Sequence, residues 1–126
     1  MPDKVIVANT KYDLEERLID FAVIITDIVE ALPNTRLGNY IAGQLVRSGL
    51  SPALNYGEAQ SAESRNDFIH KMKIILKELR ESMISLKIIE RKAIHNVDKT
   101  IAAKNECNQL IAIFVKSIET AKKNNM

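Results

Sequence analysis

A catalytic thiol needs a base beside it and an electropositive pocket. The sequence holds one cysteine, Cys107, between Glu106 and Asn108. Its helical register leads on to Leu110 and Phe114, which predicts a small buried apolar side chain rather than a nucleophile. A di-iron bundle centre needs Glu-x-x-His on two helices. Asp67 stands three residues before His70, but Lys92 takes that place before His95. One half-match makes no metal centre, and His70, beside Lys71 near a helix start, reads as a surface residue. No Gly-rich phosphate loop, Ser–His–Asp order or paired-carboxylate pattern stands out. The expectation is therefore no enzyme: no catalytic residue, no metal and no cofactor.

Phosphate binding is the other chemistry that side-chain types can announce. Lys and Arg meet a nucleic-acid backbone electrostatically, without sequence preference. The candidate contacts are Arg47, Lys71, Lys77, Arg80, Lys116, Lys122 and Lys123. Base stacking has less support: there are three Phe, three Tyr and no Trp, and the Phe residues fall on apolar stripes. The formal net charge of +2 is too small to demand a polyanion partner. Its distribution is uneven. Residues 1–34 carry seven acidic and three basic side chains, whereas residues 91–126 carry seven basic and three acidic. Acidic and basic helices lying side by side in one bundle account for this, and so does a basic face that meets nucleic acid.

The elements that must position these residues are helical nearly throughout. Asp13 with Glu16 three residues later resembles a capping box. Leu14, Leu18, Phe21, Ile25 and Ile28 then recur at helical spacing, and Ile19, Val23 and Ile24 widen that stripe. Leu32-Pro33-Asn34 stops the helix, because a residue before proline is pushed out of the helical region. Thr35 or Asn34 caps the next segment, which begins its stripe with Leu37 and Ile41. At the same spacing follow Gln44, Ser48, Ser51 and Asn55, so an apolar row turns small and polar. Local rules also interrupt this segment: Gly49 suits a helix end, Ser51 a cap and Pro52 a first turn. The expectation is a long helix kinked near Pro52, or two short helices in line. Ser64 with Asp67 opens a third helix whose seam is Phe68, Met72, Ile75, Leu79, Met83 and Leu86. Lys71, Lys77, Glu78, Arg80 and Glu81 take its other faces. The chain turns between Lys92 and Asn96 with no Gly or Pro to mark the place, since one unbroken helix would reach about 90 Å. Val97, Ile101, Leu110, Ile111, Phe114 and Ile118 belong to a fourth helix, and the tail from Lys122 reads as frayed. Val5–Val7 is the one strand signal.

The prediction is an all-α, antiparallel up-and-down four-helix bundle, one domain over residues 1–126, with helices near 13–32, 35–60, 64–91 and 96–122. The chain has 126 residues, 46% hydrophobic and 27% charged, which suits one packed core and rules out disorder. Four Gly and three Pro exclude repetitive low-complexity classes, and one Cys excludes a disulfide framework. The longest apolar run, Phe21 to Ile25, is too short for a bilayer. Asp3 and Lys4 argue against a signal peptide. A soluble, cytoplasmic bacterial domain without membrane contact is expected. The apolar load exceeds one inward stripe per helix, because Ile88, Ile89, Ile111, Ile113 and Val115 extend the seams. Homo-oligomerisation is the usual way to cover such an excess.

The second segment carries a recognisable signature. Gln44-Leu45-Val46-Arg47-Ser48-Gly49-Leu50-Ser51-Pro52-Ala53-Leu54-Asn55-Tyr56-Gly57-Glu58-Ala59 closely resembles the motif of the bacterial four helix bundle protein family, which includes proteins encoded by intervening sequences within 23S rRNA genes. The likeness continues through Asp67-Phe68-Ile69-His70-Lys71-Met72 and Ile75-Leu76-Lys77-Glu78-Leu79-Arg80-Glu81-Ser82, and spans about residues 14 to 90. After Glu81 the chain departs from it: many members continue with an Arg-Tyr-Trp-Leu-like stretch, where Met83-Ile84-Ser85-Leu86 stands here. The resemblance implies an antiparallel four-helix bundle, a second helix continuous through Pro52, a ring-like homopentamer and no established catalytic activity. A related accessory protein of diversity-generating retroelements has a similar pentameric barrel and is associated with nucleic acid and a reverse transcriptase.

Gln44, Arg47, Ser48, Ser51, Asn55 and Glu58 are the motif's polar positions. Their amides and hydroxyls either line a ligand-binding seam or, the preferred reading, fix helix register and subunit contacts. Arg47 and Glu58 lie about three turns apart on one helix, so each needs a partner elsewhere. A nucleic-acid-associated homo-oligomer, with RNA or DNA as partner, is the leading expectation. A protein–protein scaffold that touches no nucleic acid is the alternative.

Overall fold

The computed structural model describes residues 10–124, with side chains from Leu14 onward. Helix α1 spans Thr10–Ala31, α2 Arg36–Gln60, α3 Arg65–Lys92 and α4 Val97–Asn124. Each helix packs on its neighbours in the chain, and α1 also meets α4, which closes the square. The diagonal pairs α1/α3 and α2/α4 share no backbone approach. The result is an up-and-down four-helix bundle, and no strand occurs among the described residues. The strand signal at Val5–Val7 lies outside them.

Local chemistry explains most helix ends. Thr35 Oγ1 accepts the Gly38 amide at 2.9 Å and caps α2. Ser64 Oγ accepts the Asp67 amide at 3.0 Å and caps α3. Asn96 Oδ1 does the same for the Lys99 amide at 3.0 Å ahead of α4. The α3–α4 turn is made without glycine. Ala93 adopts a left-handed conformation, φ 53°, while its amide reaches the Glu90 carbonyl and the Ile94 amide reaches back to Ile89. That is a Schellman end, and Ile94 rewards it by packing on the core. Helix α1 begins at Thr10, so Asp13 lies within its first turn rather than ahead of it. At the other end α4 continues through Asn124, so Lys122 and Lys123 are helical.

Two short helices in place of α2 are ruled out. One helix of 25 residues runs through Pro52. An interior proline costs about 3 kcal/mol through its missing donor and its ring. Burying a large apolar side chain returns roughly 1.5–3 kcal/mol each, and α2 buries Ile41, Leu45 and Tyr56 along with Pro52 itself. Gly49 does not end the helix either. A Cβ there would stand 2.7 Å from Cγ2 of Ile25, so the glycine is what lets α1 and α2 approach.

The apolar stripe read on α1 is the stripe buried: Leu18, Phe21, Ile25 and Ile28 are wholly inaccessible. Facing it lie Leu45, Ile75, Leu79, Leu86, Leu110 and Phe114. Tyr56 and Phe114 meet edge-on across the α2/α4 diagonal, with ring centroids 6.0 Å apart and planes at 89°. The surplus aliphatic residues face outward. Val23 is 53% exposed and Ile84 58%, with Ile19 and Ile88 beside them.

Candidate functional site

The motif residues of α2 form a polar ladder down the seam with α3. At its centre, Ser82 Oγ donates to Ser48 Oγ at 2.9 Å, with both side chains buried. The residue before Ser48, Arg47, donates to Glu78 at 3.2 Å, to Glu81 at 3.3 Å and to Gln44 at 3.2 Å. Toward the C-terminal end of α2, Lys71 meets Glu58 at 2.6 Å. Asn55 behaves differently: its Nδ2 donates to the Ser51 hydroxyl at 2.8 Å and the Ser51 carbonyl at 3.1 Å, both on its own helix. Arg47 and Glu58 thus each find a partner on α3. Glu78 does not sit on an outer face as its polarity suggested. Only 6% exposed, it turns into the α2/α3 seam, where Arg47 and the Lys77 ammonium, 3.6 Å away, compensate its charge.

Because no buried side-chain nitrogen or oxygen among the described residues lacks a partner, the seam is fully satisfied. Satisfied buried hydroxyls hold register, whereas a half-satisfied pair is costly. Ser82→Ala alone strands the Ser48 hydroxyl and is expected to cost about 1–3 kcal/mol. Ser48→Ala combined with Ser82→Ala removes both groups and is expected to recover most of that loss. Urea unfolding of the two single variants and the double variant measures the coupling. Additive losses would show that the pair carries no register energy.

Cys107 is the buried residue that its register predicted. Its thiol donates to the Leu79 carbonyl at 3.2 Å. Burial, with a smaller push from the Glu106 charge, raises its pKa to about 12. It stays a thiol at neutral pH and is a poor nucleophile. His70 is exposed, and His95 lies in the α3–α4 turn with Nδ1 3.2 Å from the Asn96 carbonyl. Among the described residues no group of three or more His, Cys, Asp or Glu could hold a metal ion. No helix there is long and apolar enough to cross a membrane.

The seven candidate phosphate contacts divide. Arg47, Lys71 and Lys77 are engaged by carboxylates of the α2/α3 seam. The bond from Glu58, opposed by partial desolvation, holds the Lys71 ammonium above its ordinary pKa. Arg80 is exposed on α3, and Lys116, Lys122 and Lys123 are exposed on α4. Arg80 lines a groove of about 700 Å³ between α3 and α4. Lys116 lines one of about 770 Å³ at the end of the bundle where α1 begins, with Tyr56, Arg65 and Phe68. Burial raises the Tyr56 pKa; a hydrogen bond with Gln60 lowers it and the Glu15 charge adds to the rise.

Ion pairs also cross the other seams. Arg17 of α1 clasps Glu106 of α4 with Nε at 3.0 Å and Nη2 at 2.9 Å, and Lys104 of α4 pairs with Glu90 of α3. These pairs leave the charge asymmetry unresolved. Glu16, Asp20, Asp27 and Glu30 are exposed along the outer face of α1, and no salt bridge among the described residues engages them.

A chain from the S23 ribosomal protein family of Bacteroides thetaiotaomicron VPI-5482, a protein described as of unknown function, has a similar solved structure. It is 29% identical, with a TM-score of 0.77, and the match covers 82% of this chain and 96% of that one. No curated protein matches. The family model of the 23S rRNA-intervening sequence protein matches residues 10–116. With the α2 motif set into the α2/α3 seam of a four-helix bundle, the chain belongs to the 23S rRNA-intervening sequence protein family.

Proposed function

We propose that this protein is a non-enzymatic helical-bundle module that works as a ring-like homopentamer and associates with nucleic acid as an accessory protein. The observation that carries the reading is the outward placement of Val23, Ile84 and Leu54, each more than half exposed. A monomeric bundle gains nothing from aliphatic side chains held in water, whereas copies packed on one another bury them. The nucleic-acid association draws on exposed cations that no salt bridge among the described residues engages, of which Lys116, Lys122 and Lys123 gather on the C-terminal half of α4. Neighbouring copies multiply that positive surface and with it the number of phosphates met. The family's name, tied to 23S rRNA, favours RNA.

Light scattering tests the assembly: the expected mass is five times the 14.2 kDa of the chain. Titration with structured RNA and with duplex DNA, at low and near-physiological salt, tests the association. Binding that falls linearly on a log–log salt plot is expected, with a slope that shrinks when the three lysines are changed to Ala. An assembled protein that binds neither polymer at low salt is a protein–protein scaffold instead.

A further inference from the structure

We infer that the groove at the end of the bundle where α1 begins binds an amphipathic carboxylate. The ligand is of the fatty-acid class, with its tail along an apolar wall and its head between Arg65 and Lys116. This site goes beyond the function proposed above and does not depend on it.

All four helices contribute to the wall. Leu14 of α1, Tyr56 of α2, Phe68 and Met72 of α3 and Ile113 of α4 supply its apolar surface. Leu14, Tyr56 and Met72 belong to the buried core, so the groove opens directly onto it. Along α4 the lining runs from Ile113 to Asn124, about 16 Å at the helical rise. A volume of about 770 Å³ lies within the range that encloses a small organic ligand. Such sites combine apolar walls with a few polar groups that fix orientation. Ser117, Thr120 and Gln60 stand among the apolar residues here and can play that part.

The charges select the head group. Arg65, in the first turn of α3, and Lys116 of α4 both line the groove and are exposed. No salt bridge among the described residues engages either of them. Arg65 Nη1 donates to the Ala121 carbonyl at 3.4 Å. Ala121 is itself part of the lining, so this bond keeps the guanidinium over the groove, and a guanidinium has further N–H groups to offer. Glu15 is the one carboxylate in the lining, which leaves a surplus of positive charge. A carboxylate head accepts short, charge-assisted bonds from a guanidinium and an ammonium. An ammonium head would meet two like charges instead. The exposed cations alone hold a small anion weakly, whereas the apolar wall favours a tail, at about fourfold in affinity per buried methylene.

Calorimetry and amide chemical shifts on the full chain test the site, with sodium decanoate as the probe. Saturable binding is expected, with the shifts gathered around Tyr56, Phe68 and Ile113. Octanoate, two methylenes shorter, should bind up to about fifteenfold more weakly. Acetate should show no saturable binding, and decylamine, with the opposite head charge, should bind at least about tenfold more weakly than decanoate. Arg65→Gln should weaken decanoate about tenfold by removing one charge-assisted bond. Arg65 carries this test because Lys116 also belongs to the cations offered to nucleic acid. Thr120 is exposed and lines the groove, so Thr120→Trp fills it without disturbing the core and should abolish binding. Both variants should keep the far-ultraviolet circular dichroism of wild type. Absence of saturable decanoate binding overturns the site. Equal affinity for decanoate and decylamine does so too, because the two cations then select nothing. Decanoate binding indifferent to both Arg65→Gln and Thr120→Trp would place the ligand elsewhere and is equally fatal.

Discussion

Phe114→Ala is expected to lower stability by about 3–5 kcal/mol, the largest loss from any single truncation described above. The ring is wholly buried at the centre of the bundle, and it is the edge-on partner of Tyr56 across the α2/α4 diagonal. Truncation removes the transfer energy of the phenyl group, leaves a cavity that four long helices cannot collapse, and deletes an aromatic contact worth about 0.5–1.5 kcal/mol beyond its area. Thermal melting followed by circular dichroism should show Tm falling by roughly 10 °C or more. Wild type and variant must be compared at one protein concentration, because the proposed assembly would add to the apparent stability of each. A loss below about 1 kcal/mol would mean that the core repacks freely, and the close-packed bundle described here would be wrong at its centre.

Gly38→Ala should also destabilise, although helix propensity alone predicts a gain of up to about 1 kcal/mol for Gly to Ala inside a helix. The sign of the effect separates the two views. Gly38 lies in the first turn of α2, and a Cβ there would stand 2.0 Å from the Pro33 carbonyl oxygen. That oxygen belongs to the backbone of the α1–α2 turn and accepts the Thr35 amide at 2.9 Å, while Thr35 caps α2 through the Gly38 amide itself. Making room for a methyl group moves the turn and loosens the cap. Overpacking costs up to about 3 kcal/mol and the cap about 1 kcal/mol, so the net loss is roughly 3 kcal/mol. Urea unfolding of the single variant decides it, and a stabilised Gly38→Ala would show that the turn does not fold back over α2.

The candidate site was legible in part, and where reading failed the reason is physical. The α2 motif announced polar residues that needed partners, and Arg47 and Glu58 have them. Which residues answer was not legible. Glu78 and Ser82 stand on α3 among charged and apolar neighbours, and a period of 3.6 assigns a carboxylate to the water side by its type alone. Its burial beside Arg47 depends on how α2 and α3 are rotated against each other, which neither segment encodes locally. Asn55 illustrates the reverse, since a residue placed on a cross-helix seam by spacing makes its hydrogen bonds within its own helix. Pro52 is a conflict between levels: local rules end a helix there, and the burial of a whole apolar stripe carries the helix through.

By itself the sequence determined the all-helical class, the core stripes of α1 and α3, a cap at Thr35 or Asn34 and another at Ser64, and the inert character of Cys107. These depend on periodicity and on contacts a few residues apart, which a linear chain displays. Only the tertiary structure decided that Gly49 lies against Ile25, that Gly38 lies under Pro33, that Ala93 takes the left-handed turn position, and that Ser48 meets Ser82. All of these are set by the placement of whole helices. That placement minimises the combined cost of voids, clashes and unpaired charges over the entire bundle, so no single segment can state it.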